Sequence, residues 1–200
     1  MAHRGVKNDP CTYIEKSDND KGGFFMFEKI TAETLSMNPF TKLGKDWALV
    51  TAVDPDTGKS NPMTVSWGGM GVLWGKNVVT VYIRPQRYTH TILDKTDSFT
   101  LSFYDMEQSG MREALSLCGK KSGRDMDKAE AAGLHPVPVQ DGKFAWYEES
   151  ELVFCCKILY RSAFDPEKIP ADIDASCYPG KDYHDVYIAE IVQVVKKKDE

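Results

Sequence analysis

Two hundred residues make one core of ordinary size rather than two, and 42% hydrophobic with 28% charged residues is the composition of a globular protein. A net charge of -5 argues against the basic footprint of a nucleic-acid binder, and no apolar run approaches the roughly 18–20 residues that cross a bilayer. The opening M-A-H-R-G-V-K-N-D-P lacks the apolar segment of a signal peptide, so a cytoplasmic location is expected.

Residues 1–22 are polar and read as an N-terminal extension, loose at its start. Residues 23–200 read as a single domain, with ordered structure beginning near Gly22–Phe27. Trp47–Val53 is a largely apolar run ending in Asp54-Pro-Asp-Thr-Gly58, where proline and glycine suit a chain reversal. Asn61–Trp67 alternates, with Met63, Val65 and Trp67 on one face and Thr64 and Ser66 on the other. Gly68, Gly69 and Gly71 then predict a turn before Asn77–Arg84, whose middle is β-branched. Tyr88–Lys95 reads as a short helix behind Pro85. Ser98–Tyr104 alternates again, Phe99, Leu101 and Phe103 opposing the hydroxyl-bearing side. Met111, Leu115 and Cys118 recur at helical spacing within Glu107–Cys118, with Gly119 as its terminator. Asp125–Ala132 is a further helix, stopped by Gly133. Leu152–Tyr160 and Val186–Val195 complete at least six strands joined mostly by turns. That pattern is mainly β: an antiparallel β-barrel with a few short helices.

Five scattered cysteines without a C-x-x-C pair read as reduced, mostly buried thiols. Cys155 and Cys156 are strand neighbours and so face opposite ways. His3, His90, His135 and His184 show no metal spacing, and no metal site is expected. The chemistry concentrates elsewhere. Arg84 ends a strand, Pro85 stops pairing, and Arg87 and Thr89 fall where a helix opens; free N–H groups and guanidinium forks there suit a phosphate. A surface turn with two solvated arginines has the same composition, and for this turn alone that reading prevails. A second loop, Lys120-Lys121-Ser122-Gly123-Arg124, repeats the mixture of positive charge, hydroxyl and glycine before a helix. Two such loops in an acidic chain favour an anion site. Thr64, Ser66 and the N–H groups of Gly68 and Gly69 can bond the polar edge of a planar ring. Trp67 and Trp74 can wall it, although core packing is the commoner role of a strand tryptophan. Gly68-Gly-Met-Gly71 opens no helix, which rejects a Rossmann fold.

N-P-M-T-V-S-W-G-G-M-G (61–71), V-Y-I-R-P-Q-R-Y-T (81–89), S-F-T-L-S-F-Y (98–104) and S-G-R-D-M-D-K (122–128) together resemble the flavin reductase-like family of FMN-binding split-barrel proteins, the flavoredoxin branch most of all. The resemblance runs from about Trp47 to the end of the chain, specific over Asn61–Phe103 and looser beyond. It implies a Greek-key split β-barrel, a homodimer, and one FMN per subunit near the dimer interface. It places Asn61, Met63, Thr64, Val65, Ser66 and Trp67 along the isoalloxazine and ribityl chain, and Arg84, Arg87, Tyr88 and Thr89 at the phosphate. Ser102 and Phe103, and then Lys121, Ser122, Gly123 and Arg124, fall on its two remaining cofactor segments. Tyr178–His184 is similar to a segment that approaches the flavin's open face. His184 is therefore the candidate catalytic residue, with a solvent-facing loop histidine as the competing reading. The extension before Gly22 departs from the family's short start; it either covers the site or stays unstructured.

The resemblance implies an NAD(P)H-dependent oxidoreductase. NADH or NADPH would give hydride to FMN, and electrons would leave to a free flavin, a ferric chelate or a redox protein partner. Lys121 or Arg124 would stabilise the reduced flavin anion. Two alternatives stay open: a flavoredoxin-type electron carrier without turnover of a small substrate, and a split barrel whose ligand is haem, pyridoxal phosphate or nothing. FAD ranks behind FMN, because no segment reserves space for an adenosine half.

Overall fold

β-Branched and aromatic residues alternating along short runs build one antiparallel sheet. The computed structural model describes residues 27–137 and 142–198. The extension 1–22, and all but Phe27 of the expected start at Gly22–Phe27, lie outside the described residues. Among the described residues there are eight strands: β1 (Phe27–Ile30), β2 (Ala48–Val53), β3 (Ser60–Val65), β4 (Gly68–Leu73), β5 (Lys76–Ile83), β6 (Ser98–Tyr104), β7 (Ser150–Ala163) and β8 (Asp185–Lys197). They run in the order β3-β2-β6-β7-β8-β5-β4. One edge of β8 pairs with β7; the other is shared by β5, opposite Asp185–Glu190, and by β1, opposite Val194–Lys197. Strand alternation then separates two cores. Val50, Met63, Val81, Phe99, Leu101 and Phe154 fill the interior of the curled sheet. Leu49, Tyr104 and Tyr147 pack on the other side, beneath Leu115 and Cys118 of helix α3 (Met111–Lys120). Cys155 and Cys156 divide between opposite faces as expected.

Four local expectations need correction. Gly68–Leu73 is strand β4 and not a turn: a Cβ on Gly68 would lie 2.5 Å from Thr80 O, so glycine is what lets β4 close on β5. The reversal falls instead on Trp74-Gly75, at φ 53° and 71°, a two-residue hairpin of the primed type. Helix α3 continues through Gly119 to Lys120. Helix α4 is only Lys128–Ala131, started later than expected by Asp127, whose carboxylate accepts the N–H groups of Ala129 and Glu130 at 3.0 and 3.1 Å. Cys155 is disulfide-bonded, against the expectation of reduced thiols, whereas Cys118 and Cys156 are buried free thiols and Cys177 a half-buried one. Helix α2 (Tyr88–Leu93) follows the sequence reading closely. Helix α1 (Pro39–Thr41), which runs into a π-turn over Lys42–Asp46, and helix α5 (Ala171–Cys177) were not anticipated. Among the described residues no helix is long and apolar enough to cross a membrane.

Candidate binding cleft

The ends of β3 and β5 and the loop before β8 meet in an open cleft. Ser66, Trp67, Tyr82, Arg84, Arg87 and His184 border it, with Met63, Thr64 and Val65 along its inner side. Met63 and Val65 belong to the barrel core, so β3 presents a rigid edge. Trp67 is 47% exposed, and its ring lies 5.3 Å from that of His184 at 49°. His184 is only 8% exposed, and its Nδ1 is 2.9 Å from the Tyr178 hydroxyl. Burial pushes its pKa down to about 4; nearby Arg84 adds to this and Asp182 opposes it. The ring is therefore neutral at pH 7.

At the cationic end, the two arginines differ. Arg84 donates to the Asp182 carboxylate and, at 2.9 Å, to Cys177 O, and its guanidinium lies over the Tyr178 ring at 5.3 Å. Among the described residues the Arg87 guanidinium donates to a neutral group, Cys118 O, at 3.3 Å. Burial first, and Arg84 second, lower its pKa. The second basic loop folds onto the first. A Cβ on Gly123 would lie 1.9 Å from Asn61 Oδ1 and 2.9 Å from Tyr88 Cδ1, so only glycine fits there. Arg124 donates to Gln86 O and Thr91 Oγ1 at 3.2 and 2.9 Å and covers the Tyr88 ring at 5.1 Å. Ser122 Oγ accepts the Arg124 N–H, and Lys121 is exposed at the end of α3.

Several expected residues either have their polar groups engaged elsewhere in the protein or do not line the cleft. Asn61 Nδ2 donates to Thr89 Oγ1 at 2.7 Å, a buried pair that locks β3 to α2. The Thr64 hydroxyl donates to Leu115 O and ties β3 to α3. Ser102 and Phe103 are fully buried in β6 and do not line the cleft; Phe103 packs edge-on against Phe154. Trp74 is 68% exposed at the hairpin tip and forms no wall beside Trp67. The sequence reading also missed three residues. Tyr82 in β5 precedes Arg84, just past the end of that strand, by two residues, and both border the cleft. Tyr178 had a weaker signal, lying in the segment that carries His184. Lys128, which is buried and shares the Cys118 carbonyl with Arg87, ends the S-G-R-D-M-D-K segment that carried the resemblance.

Residues 40–200 match the family described as Flavin reductase like domain. Flavoredoxin of Desulfovibrio vulgaris (Miyazaki F) is structurally similar, with 21% identity, TM-score 0.57, and 76% of this chain and 69% of that chain covered. An FMN-binding protein from Thermus thermophilus with bound p-hydroxybenzaldehyde shares 19% identity at TM-score 0.59, over 86% and 82%. A Streptomyces globisporus C-1027 NADH:FAD oxidoreductase shares 13% identity at TM-score 0.54, over 76% and 75%. At these identities the likeness concerns the fold, which is the split barrel of FMN-binding proteins. No curated protein sequence matches the chain.

Proposed function

The chain belongs to the flavin reductase-like family, and from that premise we propose that it is an FMN-dependent oxidoreductase taking electrons from NADH or NADPH, or from a redox protein. One observation carries the cofactor: a half-buried guanidinium, Arg87, hydrogen-bonded only to a carbonyl, stands in the same cleft as the flat, half-exposed Trp67 ring. A flavin with a phosphate tail complements both. Among the described residues Arg87 has no carboxylate partner, so an incoming phosphate meets no competitor there. Arg84 fits less well as it stands, being already neutralised by Asp182.

When bound, FMN supplies the two-electron redox chemistry. The chain's own residues position and shield it. Arg87 holds the phosphate by a charge-assisted bond. Ser66 and the backbone of Met63–Trp67 lie along one side, and Trp67 makes an apolar wall. Burial keeps His184 uncharged at pH 7, and its bond to Tyr178 fixes the ring beside Trp67.

The same reading includes a homodimer. Phe40 is 85% exposed and stands with Trp67, Met70, Tyr82 and Phe164 around an apolar groove that adjoins the cleft. A second copy covering this groove would remove it from water and enclose the flavin. Light scattering that returns a monomer mass would refute the dimer alone.

The primary test is the absorption spectrum of the purified protein, with identification of any flavin released on denaturation. FMN is expected. NADH or NADPH added without oxygen should then bleach the flavin band. Bleaching only by a reduced redox protein makes the chain a carrier; a colourless protein that takes up no FMN refutes the proposal.

A further inference from the structure

We propose that Tyr178 is a positioning residue that holds His184 as its Nε2–H tautomer, so that the cleft presents an uncharged N–H donor beside Trp67. The tautomer follows from which group has a hydrogen to give. Tyr178 is 3% exposed, and its hydroxyl lies 2.9 Å from His184 Nδ1. Among the described residues no other acceptor bonds that hydroxyl. Were Nδ1 to carry the ring's hydrogen, a buried phenol O–H would be left without an acceptor, which is unfavourable. Donation from the phenol to Nδ1 satisfies both groups and leaves the hydrogen of a neutral imidazole on Nε2. Both partners are in the form this needs. Burial raises the Tyr178 pKa, with Arg84 the chief opposing influence, so the phenol keeps its proton at pH 7. Burial lowers that of His184 to about 4.

The partner chosen for this ring is unlike those of the other described histidines. His90 Nε2 lies 2.9 Å from an Asp185 carboxylate oxygen, and His135 Nδ1 lies 2.6 Å from Glu149. A carboxylate can only accept, so it takes the hydrogen of the nitrogen facing it and favours the charged ring. A phenol reverses that polarity. The nearby Asp182 carboxylate is engaged by Arg84 and by Gln86 Nε2, the latter at 2.6 Å, and bonds neither nitrogen of His184. Tyr178 is itself fixed from three sides. Its ring lies under the Arg84 guanidinium at 5.3 Å and against Tyr183 at 4.9 Å, and its N–H donates to Asp174 O at 3.0 Å.

The other nitrogen is the one left for a ligand. Among the described residues nothing bonds Nε2, and it is not sealed from the cleft that His184 borders. An uncharged donor beside an indole ring suits an uncharged acceptor, whereas an anion is better met by Arg87. Resting on the FMN reading above, Nε2–H would bond a carbonyl oxygen of the co-substrate that lies at the flavin's open side, and Tyr178 would set the direction of that bond.

The test reads the ring nitrogens directly. Long-range proton–nitrogen correlation spectra of the full-length, isotope-labelled protein at neutral pH separate protonated from unprotonated ring nitrogens. His184→Gln identifies the His184 signals by their loss. Wild type is expected to show Nε2 protonated and Nδ1 unprotonated. Tyr178→Phe should move the Nδ1 signal to that of a nitrogen receiving no bond, and leave the other histidines unmoved. Kinetics carry the consequence. Anaerobic bleaching of bound FMN by NADH or NADPH should slow about three- to tenfold in Tyr178→Phe, with FMN affinity within about twofold of wild type. The same substitution made in His184→Gln should change the rate less than about twofold, because Tyr178 acts through His184. The Nδ1–H tautomer in wild type, an unaltered Nδ1 signal or bleaching rate in Tyr178→Phe, or a loss that persists in His184→Gln overturns the assignment. Should Tyr178→Phe not fold, the wild-type spectrum alone decides the tautomer. A protein that takes up no FMN refutes the FMN reading instead; the nitrogen spectra need no flavin and still decide the assignment.

Discussion

Gly123 is where the two basic loops touch, and Gly123→Ala tests whether that contact organises the site. The added methyl would stand 1.9 Å from Asn61 Oδ1, 2.9 Å from Asn61 Cγ and 2.9 Å from Tyr88 Cδ1. Asn61 is buried and held to Thr89 by its 2.7 Å bond, so it cannot swing away without leaving polar groups unpaired. Overpacking of this kind costs roughly 1–3 kcal/mol, and breaking the buried pair adds ~1–3 kcal/mol. If the 120–124 loop lifts instead, only the first cost applies. A loss of about 2–6 kcal/mol is therefore expected if the pair breaks and about 1–3 kcal/mol if the loop lifts, which for about 200 residues lowers Tm by at least about 2 °C. FMN affinity should fall with it, because Tyr88 and Arg87 are displaced. Gly119→Ala is the control: its methyl meets Thr64 Cβ at 3.4 Å and lies inside α3, where alanine is favoured by about 0.5–1 kcal/mol. Calorimetry and flavin titration on both variants decide it. If Gly123→Ala melts within about 2 °C of wild type and binds FMN normally, the two loops do not depend on this contact.

Arg87→Ala should weaken FMN binding about 10- to 100-fold from loss of a charge-assisted bond, while Arg112→Ala, an exposed arginine stacked on Trp47 away from the cleft, should not; equal affinities in a titration would remove Arg87 from the site. Trp67→Ala should loosen FMN and leave the fold intact, since the ring is half-exposed; unfolding by circular dichroism would make Trp67 structural. His184 is held near pKa 4 in the folded protein against 6.5 ordinarily, so the folded state resists its protonation. Its contribution is whole above pH 6.5 and is lost as pH falls toward 4; denaturant titrations should show wild type losing more stability across that window than His184→Gln, and parallel curves would contradict this. Lys128, held near 8 against 10.5, gives the alkaline counterpart. Between those values the unfolded chain binds the extra proton, so stability of the apoprotein rises with pH, and that rise should be absent from Lys128→Met.

The strands were legible because their pattern depends on neighbours two residues apart. Phe99, Leu101 and Phe103 alternate against Ser98, Thr100 and Ser102, and β6 spans those residues. β4 was not legible: its glycines permit close pairing with Thr80, a residue of the next strand, and local sequence read the same glycines as a turn. The Arg84 and Arg87 turn and the His184 segment were singled out because arginines flanking a proline just after a strand leave a local trace, and the structure brings them to one cleft. Which polar groups stay available was not legible. Thr64 bonds Leu115, Thr89 bonds Asn61, and Arg84 pairs with Asp182, partners 51, 28 and 98 residues away. Such pairings are fixed by topology, and no window of sequence contains both members.

The cations of the cleft therefore fall into two classes, and the difference assigns their work. Arg84 and Asp182 are both partly exposed, at 27% and 29% of their side chains, so the pair is screened by salt and exchanges partners at small cost. Arg87 borders the cleft and has no carboxylate partner among the described residues; it shares one carbonyl with the buried Lys128, so the two cations repel one another with little screening. Net charge of -5 disfavours distant approach of a phosphate ester, but beyond a Debye length of about 8 Å that field is largely screened at physiological salt. Affinity should then depend on Arg87 and vary little with ionic strength. Arg84 would contact a ligand's anionic end only when that ligand outcompetes Asp182.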